Sequence, residues 1–407
     1  MKIKGNIIIG QSGGPTAAIN ATLAGVFSAG KKLCEGKVYG MLGGVEGLLA
    51  ENFVDMTQKL ASDHDVELLK RTPSSYLGSC RFKLPEPVEG NEIYEKLFEI
   101  FEKYNIKGFF YIGGNDSMDT VKKLSIYNEF KKTDIKFMGV PKTIDNDLVA
   151  TDHTPGFGSA AKFVATVTKE LVRDSLVYDL KSVTVVEIMG RDAGWLTAAS
   201  ALAKGDDCEG AAMILLPEGP FDYEYVKNRV AELMEESKSL VITVSEGVRT
   251  KEGKYVCELG SEKGTDAFGH TMLTGTAAAI AAMLKKDLGI KTRAVELSTL
   301  QRCASHIASA TDISESFKVG EAAVKAAAEG ESGKMALLRR ISNDPYICVT
   351  DTADVREIAN LAKEVPRSMI NENGDNVTDE FIEYARPLIE GELSQLMVNG
   401  LPTHIKL

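Results

Sequence analysis

The sequence predicts an α/β protein in which mainly parallel sheets carry helices on both faces. Segments typical of strands and of helices alternate along the chain, as expected where each parallel crossover contains a helix. With 407 residues, the chain exceeds the size at which a single hydrophobic core stops growing, so two domains are expected. Glycine-rich loops directly follow several predicted strands, and open α/β sheets bind ligands at those strand ends.

The first part of the chain supplies six of the predicted elements. Its N-terminal apolar run is too short for a signal peptide and is predicted to be the first strand. The predicted strands lie at residues 6–9, 37–41, 108–112 and 136–140, and the predicted helices at residues 16–33 and 91–104.

The second part continues the alternation without a low-complexity linker, so the domain boundaries are expected in loops. The predicted strands lie at residues 182–189, 212–216 and 240–245, and the predicted helices at residues 158–173 and 277–288.

Composition excludes several classes of function. The formal net charge of -11 disfavours nonspecific binding to nucleic acid or to an anionic membrane. Any polyanionic substrate must therefore meet a local cluster of cations. No apolar run approaches the roughly 18 residues that span a bilayer. The six cysteines are scattered without a CxxC pair, which favours reduced thiols in a cytoplasmic protein over disulfides or a zinc site.

The most informative motif is Pro141-Lys142-Thr143-Ile144-Asp145-Asn146-Asp147, at the end of a predicted buried strand. A lysine can stabilise anionic oxygens, and a neighbouring carboxylate can accept a proton. Together they are the minimal set for phosphoryl transfer to a hydroxyl group.

Two glycine-rich loops follow other strands. Gly10-Gln11-Ser12-Gly13-Gly14 is either a tight turn alone or an anion site in which backbone N–H groups approach phosphate before a helix N-terminus. Gly113-Gly114-Asn115-Asp116-Ser117 offers the same geometry and adds oxygen ligands for Mg²⁺. Neither loop fits a dinucleotide fingerprint or a Walker motif.

Further charged residues lie near strand ends. Arg191 follows a strand, where its guanidinium can bind phosphate oxygens, and Arg293 and Arg302 form a second cationic group. Arg81 lies in a small-residue loop, and a lone arginine of this kind more often only covers a solvated surface than binds a ligand. Glu246 could accept hydrogen bonds from sugar hydroxyls or could lie beside a helix N-terminus.

This set of motifs resembles the phosphofructokinase family, and within it the pyrophosphate-dependent enzymes. The resemblance runs from the first strand to about Arg302 and is weaker after about Lys334. It is carried by Ser12-Gly13-Gly14, Gly78-Ser79-Cys80-Arg81-Phe82, Gly113-Gly114-Asn115-Asp116-Ser117, residues 141–147, Met189-Gly190-Arg191, Glu246, Arg293 and Gln301-Arg302.

The resemblance implies roles for individual residues in the transfer of a phosphoryl group to fructose 6-phosphate in glycolysis. Asp145 matches the base that deprotonates the sugar 1-hydroxyl, with Lys142, Asp147 and Asp116 as further catalytic residues. Donor-phosphate contacts fall on Gly13, Arg81, Gly114 and Asp116. Sugar-phosphate contacts fall on Thr143, Ile144, Asp145, Met189, Gly190, Arg191, Glu246, Arg293, Thr299 and Arg302.

The same resemblance implies magnesium as cofactor, with Asn115 and Asp116 as its ligands. Asn115 stands where many relatives have a magnesium-binding aspartate. Thr299 and Ser182 depart from the family pattern in the same way, since ATP-type enzymes have a histidine and an arginine at these positions. Relatives complete the sugar-phosphate site across a subunit interface, so a homodimer or homotetramer is expected, with Arg293 as the matching arginine.

The expected architecture is two Rossmann-like three-layer domains with the active site in the cleft between them, plus a C-terminal extension. Residues 1–145 with part of 260–310 are expected to form the phosphoryl-donor domain. Residues 146–260 with part of 310–340 are expected to form the sugar-phosphate domain, and residues 341–407 the extension.

Two positions predict the phosphoryl donor. ATP-dependent relatives have glycine where this chain has Asp116 and Lys142. A carboxylate at Asp116 repels the α-phosphate of ATP, whereas Lys142 can stabilise the transferring group and the leaving phosphate. Both substitutions favour pyrophosphate.

Three alternatives stay open at this point. They are an ATP-dependent phosphofructokinase, an enzyme that also uses a related sugar phosphate such as sedoheptulose 7-phosphate, and a sugar-phosphate sensor without catalytic activity. A sensor does not need the base Asp145.

Overall fold

The computed structural model describes residues 1–177, 179–259 and 273–407, which form two large sheets and one short ribbon. The strands are β1 Asn6–Gln11, β2 Val38–Met41, β3 Phe53–Asp55, β4 Ile106–Gly113, β5 Lys136–Pro141, β6 Ser182–Ile188, β7 Met213–Leu215, β8 Ser239–Ser245, β9 Lys291–Glu296, β10 Lys334–Asn343, β11 Tyr346–Asp354, β12 Met397–Val398 and β13 Leu401–Pro402. The α-helices are α1 Ile19–Leu33, α2 Gly44–Leu49, α3 Met56–Lys59, α4 Asp63–Arg71, α5 Glu92–Lys103, α6 Asn115–Lys131, α7 Phe157–Ser175, α8 Trp195–Ala198, α9 Tyr223–Glu236, α10 Thr276–Leu288, α11 Leu300–Cys303, α12 Ala310–Glu329 and α13 Asp379–Ala385. Short 3₁₀ turns lie at Ala199–Ala203, Val256–Leu259, Ser305–Ile307, Val355–Glu357, Arg367–Met369 and Arg386–Ile389.

The first sheet has the strand order β11-β10-β5-β4-β1-β2-β3. Its central strands are parallel, and antiparallel partners close both edges, with β3 beside β2 and β11 beside β10. Gln11 pairs with Ile112 and Gly113 pairs with Pro141, so β1, β4 and β5 end at the same edge. The loops that carry the candidate phosphate-binding residues therefore meet there.

The alternation of apolar side chains along the strands builds the three layers of this domain. Ile7 and Ile9 face a core with α1 and α12, whereas Ile8 faces a second core with α5 and α6. Because consecutive strand residues point to opposite faces, nearly continuous apolar strands are buried on both sides.

Helices α1 and α12 approach each other closely enough to touch through their backbones. A Cβ atom at Gly25 would lie 2.0 Å from the carbonyl oxygen of Phe317, and one at Gly320 would lie 2.3 Å from that of Thr22. Glycine is required at both positions for this packing.

The second sheet has the order β7-β8-β6-β9, and all of its pairs are parallel. Helices α7 and α8 cover one face with a core that includes Phe157 and Trp195. Helices α9 and α10 cover the other face with a core that includes Val230 and Ile280. The predicted α/β class with mainly parallel sheets is thus confirmed.

Sheet membership after residue 290 differs from the predicted division. Strand β9 pairs with β6 in the second sheet, although part of 260–310 was expected in the first domain. Helix α12 packs on α1, and β10 pairs with β5, although part of 310–340 was expected in the second domain. The order of elements along a chain does not determine which sheet edge a late strand joins, and the domain limits stay a prediction.

The chain after β11 lies across both domains. Lys363 N donates a hydrogen bond to Asp147 O at 2.7 Å, and Trp195 Nε1 donates to Lys363 O at 2.8 Å. Val365 N donates to Glu218 Oε1 at 3.0 Å. None of the helices in the described ranges has the length and apolar composition that a membrane span requires. The six cysteines, all within those ranges, form no disulfide.

Candidate active site

A cavity of about 380 Å³ lies between the strand ends of the first sheet and the loop that follows β6. It contains both predicted glycine loops and most of the motif 141–147. The residues lining it are Gly13, Gly14, Pro15, Thr16, Gly114, Asn115, Asp116, Ser117, Lys142, Thr143, Ile144, Asp145, Asp147, Met189, Arg191, Asp192, Ala193 and Arg302.

Lys142 directly follows β5, and only 2% of its surface is exposed. Its Nζ donates hydrogen bonds to Ser12 O at 3.0 Å and to Gly14 O at 2.7 Å, which joins the motif to the first glycine loop. Burial lowers the pKa of Lys142 to about 8, and the charge of Arg302 acts in the same direction against that of Asp145. Two of its three donors are used in this way, so one N–H can point to a ligand.

Asp145 and Asp147 share an environment that disfavours their charged forms. Burial raises the pKa of Asp145, against a hydrogen bond from Thr143 and the charge of Lys142. Burial and the charge of Asp145 raise the pKa of Asp147 to about 7. Thr143 Oγ1 donates to Asp145 Oδ2 at 3.2 Å and accepts from Asp145 N at 3.1 Å, which orients the carboxylate. A carboxylate with a raised pKa is a stronger base.

Asn115 and Asp116 begin α6, with Gly114 at its N-cap. The N-terminus of this 17-residue helix faces the cavity and favours negative ligands. Asn115 Nδ2 donates to Asp147 Oδ2 at 3.3 Å, whereas the buried Asn115 Oδ1 finds no hydrogen-bond partner in the described part of the chain. An amide oxygen of this kind beside carboxylates is a suitable ligand set for Mg²⁺.

The charges around the cavity also fit a metal cation. Three cations line it, from Lys142, Arg191 and Arg302, against four carboxyl groups. The carboxyl groups are those of Asp116, Asp145, Asp147 and Asp192. A polyanionic ligand cannot be balanced by three cations that also face four carboxylates, so a divalent ion fits the site.

Residues after β6 and before α12 form the opposite wall. A Cβ atom at Gly14 would lie 3.3 Å from Arg302 Nη1, which brings this guanidinium against the first glycine loop. Gly190 N donates to Glu246 Oε1 at 3.4 Å. Burial, with an added contribution from the charge of Asp145, raises the pKa of Glu246 to about 7. Glu246 and Gly190 therefore stand just behind the cavity lining.

Besides Gly190 and Glu246, three further predicted site residues are not part of the cavity lining. Arg81 is exposed, although its loop contacts the first glycine loop through Ser79 Oγ, which donates to Gly13 O at 2.8 Å. Arg293 on β9 is exposed, and its Nη1 lies 3.6 Å from Asp174 Oδ2. Thr299 is exposed at the N-cap of α11. The structure thus brings together Gly13, Gly114 and Asp116 on the donor side, and leaves Arg81, Arg293 and Thr299 outside the cavity lining.

Several residues at the site were missed by sequence reasoning. Thr16 and Asp192 lie one or two positions beyond recognised motifs, and their neighbours could have indicated them. Two residues of the C-terminal extension contact the motif. Lys363 N donates to Asp147 O at 2.7 Å, and Tyr384 Oη accepts from Asn146 Nδ2 at 2.8 Å. No local pattern in the extension indicates these two contacts.

The chain is similar to proteins of one known family. A family model described as phosphofructokinase matches residues 6–327. The pyrophosphate–fructose 6-phosphate 1-phosphotransferase of Halomonas elongata is 41% identical over 406 residues, which cover 99% of this chain and 96% of that relative. The enzyme of the same name from Methylococcus capsulatus is 39% identical over 406 residues, with the same coverage.

Among solved structures, the pyrophosphate-dependent phosphofructokinase from Nitrosospira multiformis is similar with a TM-score of 0.89 and 37% identity. The similarity covers 99% of this chain and 96% of that one.

Proposed function

The chain belongs to the phosphofructokinase family, and from this premise we propose that it transfers a phosphoryl group from pyrophosphate to the 1-hydroxyl of fructose 6-phosphate. The products are fructose 1,6-bisphosphate and phosphate, and the reaction runs in both directions in glycolysis. The observation that carries the proposal is that Asp145, Lys142 and Asp116 line one cavity. Relatives that match over the full chain carry the name of this activity.

Asp145 is the base in this reaction. It takes the proton from the 1-hydroxyl while the sugar oxygen forms a bond to the near phosphorus of pyrophosphate. The bond from that phosphorus to the bridging oxygen breaks, and phosphate leaves with the electron pair. Burial keeps the pKa of Asp145 raised, so the carboxylate has a higher affinity for the proton that it must accept.

The donor lies across the two glycine loops. Backbone N–H groups at Gly13 and Gly114 and the N-terminus of α6 face its oxygens, and Lys142 adds a positive charge. Because Lys142 is tied to Ser12 O and Gly14 O, its charge is fixed in place before the substrate binds. Stabilisation of this kind is strongest where charge develops during transfer.

Magnesium fits the oxygen atoms on the donor side, where Asn115 and Asp116 would hold it beside Asp147. When bound, it supplies positive charge to the phosphate oxygens. The contact from Asn115 Nδ2 to Asp147 Oδ2 orients the amide so that Oδ1 is left for a cation.

The sugar phosphate lies on the opposite wall. The residues that line the cavity on this side are Thr143, Ile144, Met189 and Arg191, with Gly190 and Glu246 behind them and Arg302 against the first glycine loop. Arg293 is exposed and outside the cavity, which suits a residue that completes the site of a neighbouring subunit. A homodimer or homotetramer with shared sites follows from this proposal, and a cytoplasmic location remains a prediction from the sequence.

Initial rates with pyrophosphate and with ATP, each with fructose 6-phosphate and magnesium, test the proposal. We expect turnover with pyrophosphate to exceed that with ATP by at least tenfold. Replacing both Asp116 and Lys142 by glycine should weaken the use of pyrophosphate, because the carboxylate and the fixed cation are removed together. Unchanged pyrophosphate activity in this double variant contradicts the account of donor choice, and equal rates with both donors contradict the proposal itself.

A further inference from the structure

We propose that Tyr384, in the C-terminal extension, is a positioning residue that holds the loop of Asp145 and Asp147 through the side chain of Asn146. The matched family model ends at residue 327, so the extension lies outside it. The kinetic part of this inference rests on the proposed function, whereas its structural part does not.

Asn146 is the residue through which the loop is held. It lies between Asp145 and Asp147, is fully buried, and has a φ of 55° in the left-handed region. Its Nδ2 donates to Tyr384 Oη at 2.8 Å, and its Oδ1 accepts from Thr154 N at 3.0 Å. Both ends of the amide are therefore held by groups outside the loop.

The left-handed backbone at Asn146 matters because it sets the directions of the neighbouring Asp145 and Asp147. Asparagine tolerates this region better than other residues with a side chain, but the extended and right-handed regions remain open to it, so the surroundings still help to select the observed φ. If φ at Asn146 relaxed, the peptide planes on both sides would turn, and the carboxyl groups of Asp145 and Asp147 would turn with them. The two hydrogen bonds to the amide oppose this motion.

Tyr384, which is partly buried, is itself held by several contacts. Its Oη donates to Asp152 O at 2.8 Å, so the hydroxyl connects the loop with the chain that leads into α7. The guanidinium of Arg340 lies 4.6 Å from the Tyr384 ring centroid, and Arg340 Nη1 donates to Tyr384 O at 2.9 Å. The Trp195 ring is 5.2 Å away. The hydroxyl therefore has little freedom to move with the loop.

The first test replaces Tyr384 by phenylalanine, which keeps the ring and removes the hydroxyl. We expect kcat to fall about tenfold or more while KM for fructose 6-phosphate and for pyrophosphate stays within about threefold. A displaced base slows the chemical step without removing substrate contacts.

Tyr127→Phe is the matched control. Tyr127 is fully buried, and its hydroxyl, like that of Tyr384, both accepts and donates a hydrogen bond, from Gly90 N and to Glu95. It lies 12 residues into α6, about 18 Å along the helix axis from the cavity. Equal kinetic effects in the two variants would overturn the inference, because loss of a buried hydroxyl would then explain both.

A double-mutant cycle with Asn146→Ala separates positioning from general packing. If Tyr384 acts through Asn146, the double variant should lose no more kcat than the larger of the two single effects. Independent packing effects would multiply instead, and that result would contradict the inference.

Hydrogen exchange in the resting enzyme gives a readout that does not depend on the proposed reaction. Tyr384→Phe should increase exchange in a peptide covering residues 143–150, whereas Tyr127→Phe should leave it unchanged. Unchanged protection there in Tyr384→Phe would refute the structural support even if the wild-type enzyme had no activity with pyrophosphate. Wild-type inactivity together with increased exchange would refute only the proposed function.

Discussion

Burial favours the uncharged forms of three reactive side chains of the site. It raises the pKa of Asp145 and Asp147 and lowers that of Lys142 to about 8. The carboxylates are therefore better proton acceptors than exposed ones, and the lysine loses its charge more easily. Catalysis that needs an ionised Asp145 and a charged Lys142 is confined to a limited range of pH.

Replacing Asp145 by asparagine should lower kcat by about 10³-fold, because the amide keeps the shape but cannot accept the proton. KM for fructose 6-phosphate should change by less than about threefold, since the contacts of the sugar phosphate remain. Steady-state kinetics measures both effects. Asp192→Asn, which alters another carboxyl group of the cavity lining, is the control. Turnover within tenfold of the wild type would exclude Asp145 as the base.

The value of kcat/KM should pass through a maximum as pH changes and should fall on both sides of it. Burial lowers the pKa of Lys142, so its charge is lost as pH rises through about 8 and the rate should fall there. The raised pKa of Asp145 means that its ionised form is lost at a higher pH than for an exposed aspartate as pH decreases.

Lys142→Arg keeps the positive charge at alkaline pH. Its rate can be lower throughout, but its alkaline decline should move to higher pH, as pH–rate profiles of the two enzymes would show. A wild-type profile that stays flat to pH 9 would contradict this assignment.

At the level of elements, the contact between α1 and α12 depends on two glycines. An alanine in the middle of a helix is favoured over glycine by about 0.5–1 kcal/mol, which alone would stabilise the protein. At Gly320, however, the added Cβ would lie 2.3 Å from Thr22 O, which is far inside van der Waals contact. The steric effect should dominate.

Gly320→Ala should therefore destabilise the fold by about 1–3 kcal/mol, which is typical of overpacking. Urea unfolding measures the difference. Gly219→Ala is the control, because a Cβ there meets nothing within 4 Å, and a change within about 0.5 kcal/mol is expected. A stabilised Gly320→Ala variant would show that the helices can separate without cost.

Most strands of the parallel sheets could be predicted because they have a local signal, whereas β9 was not predicted. The strand before Lys142 is continuously apolar, and its end carries the motif, so the loop was placed correctly. No local pattern indicates that β10 and α12 belong to the first domain, because their place there depends on packing between residues far apart in sequence. The contact between Tyr384 and Asn146 joins the extension to the loop, and the sequence of either segment alone does not indicate that the two residues meet.

For the whole molecule, the position of Arg293 leads to a test of assembly. Arg293→Ala should raise KM for fructose 6-phosphate, and Asp145→Asn should abolish turnover, so each variant alone is poorly active. If the site is shared between subunits, as proposed, mixed oligomers would contain a site with Asp145 from one subunit and Arg293 from its neighbour.

Activity should therefore return after the two variants are dissociated and reassembled together. If sites are shared between two subunits and the variants mix at random in equal amounts, about a quarter of all sites carry both intact residues, so the recovered rate should approach about a quarter of the wild-type rate. Native mass spectrometry verifies that mixed oligomers have formed. Mixed oligomers without activity, or a wild-type chain that stays monomeric, would contradict a shared site.

The sheet order described above also determines when this protein can fold during its synthesis. Strand β5 ends at Pro141, but its neighbour β10 begins at Lys334, and the helix that covers α1 begins at Ala310. At ribosomal rates of about 5–20 residues per second, roughly 10–40 seconds separate the two strands. During that time the nascent first domain has an unpaired strand edge and an uncovered apolar face. Its final structure forms only when nearly the whole chain has left the ribosome.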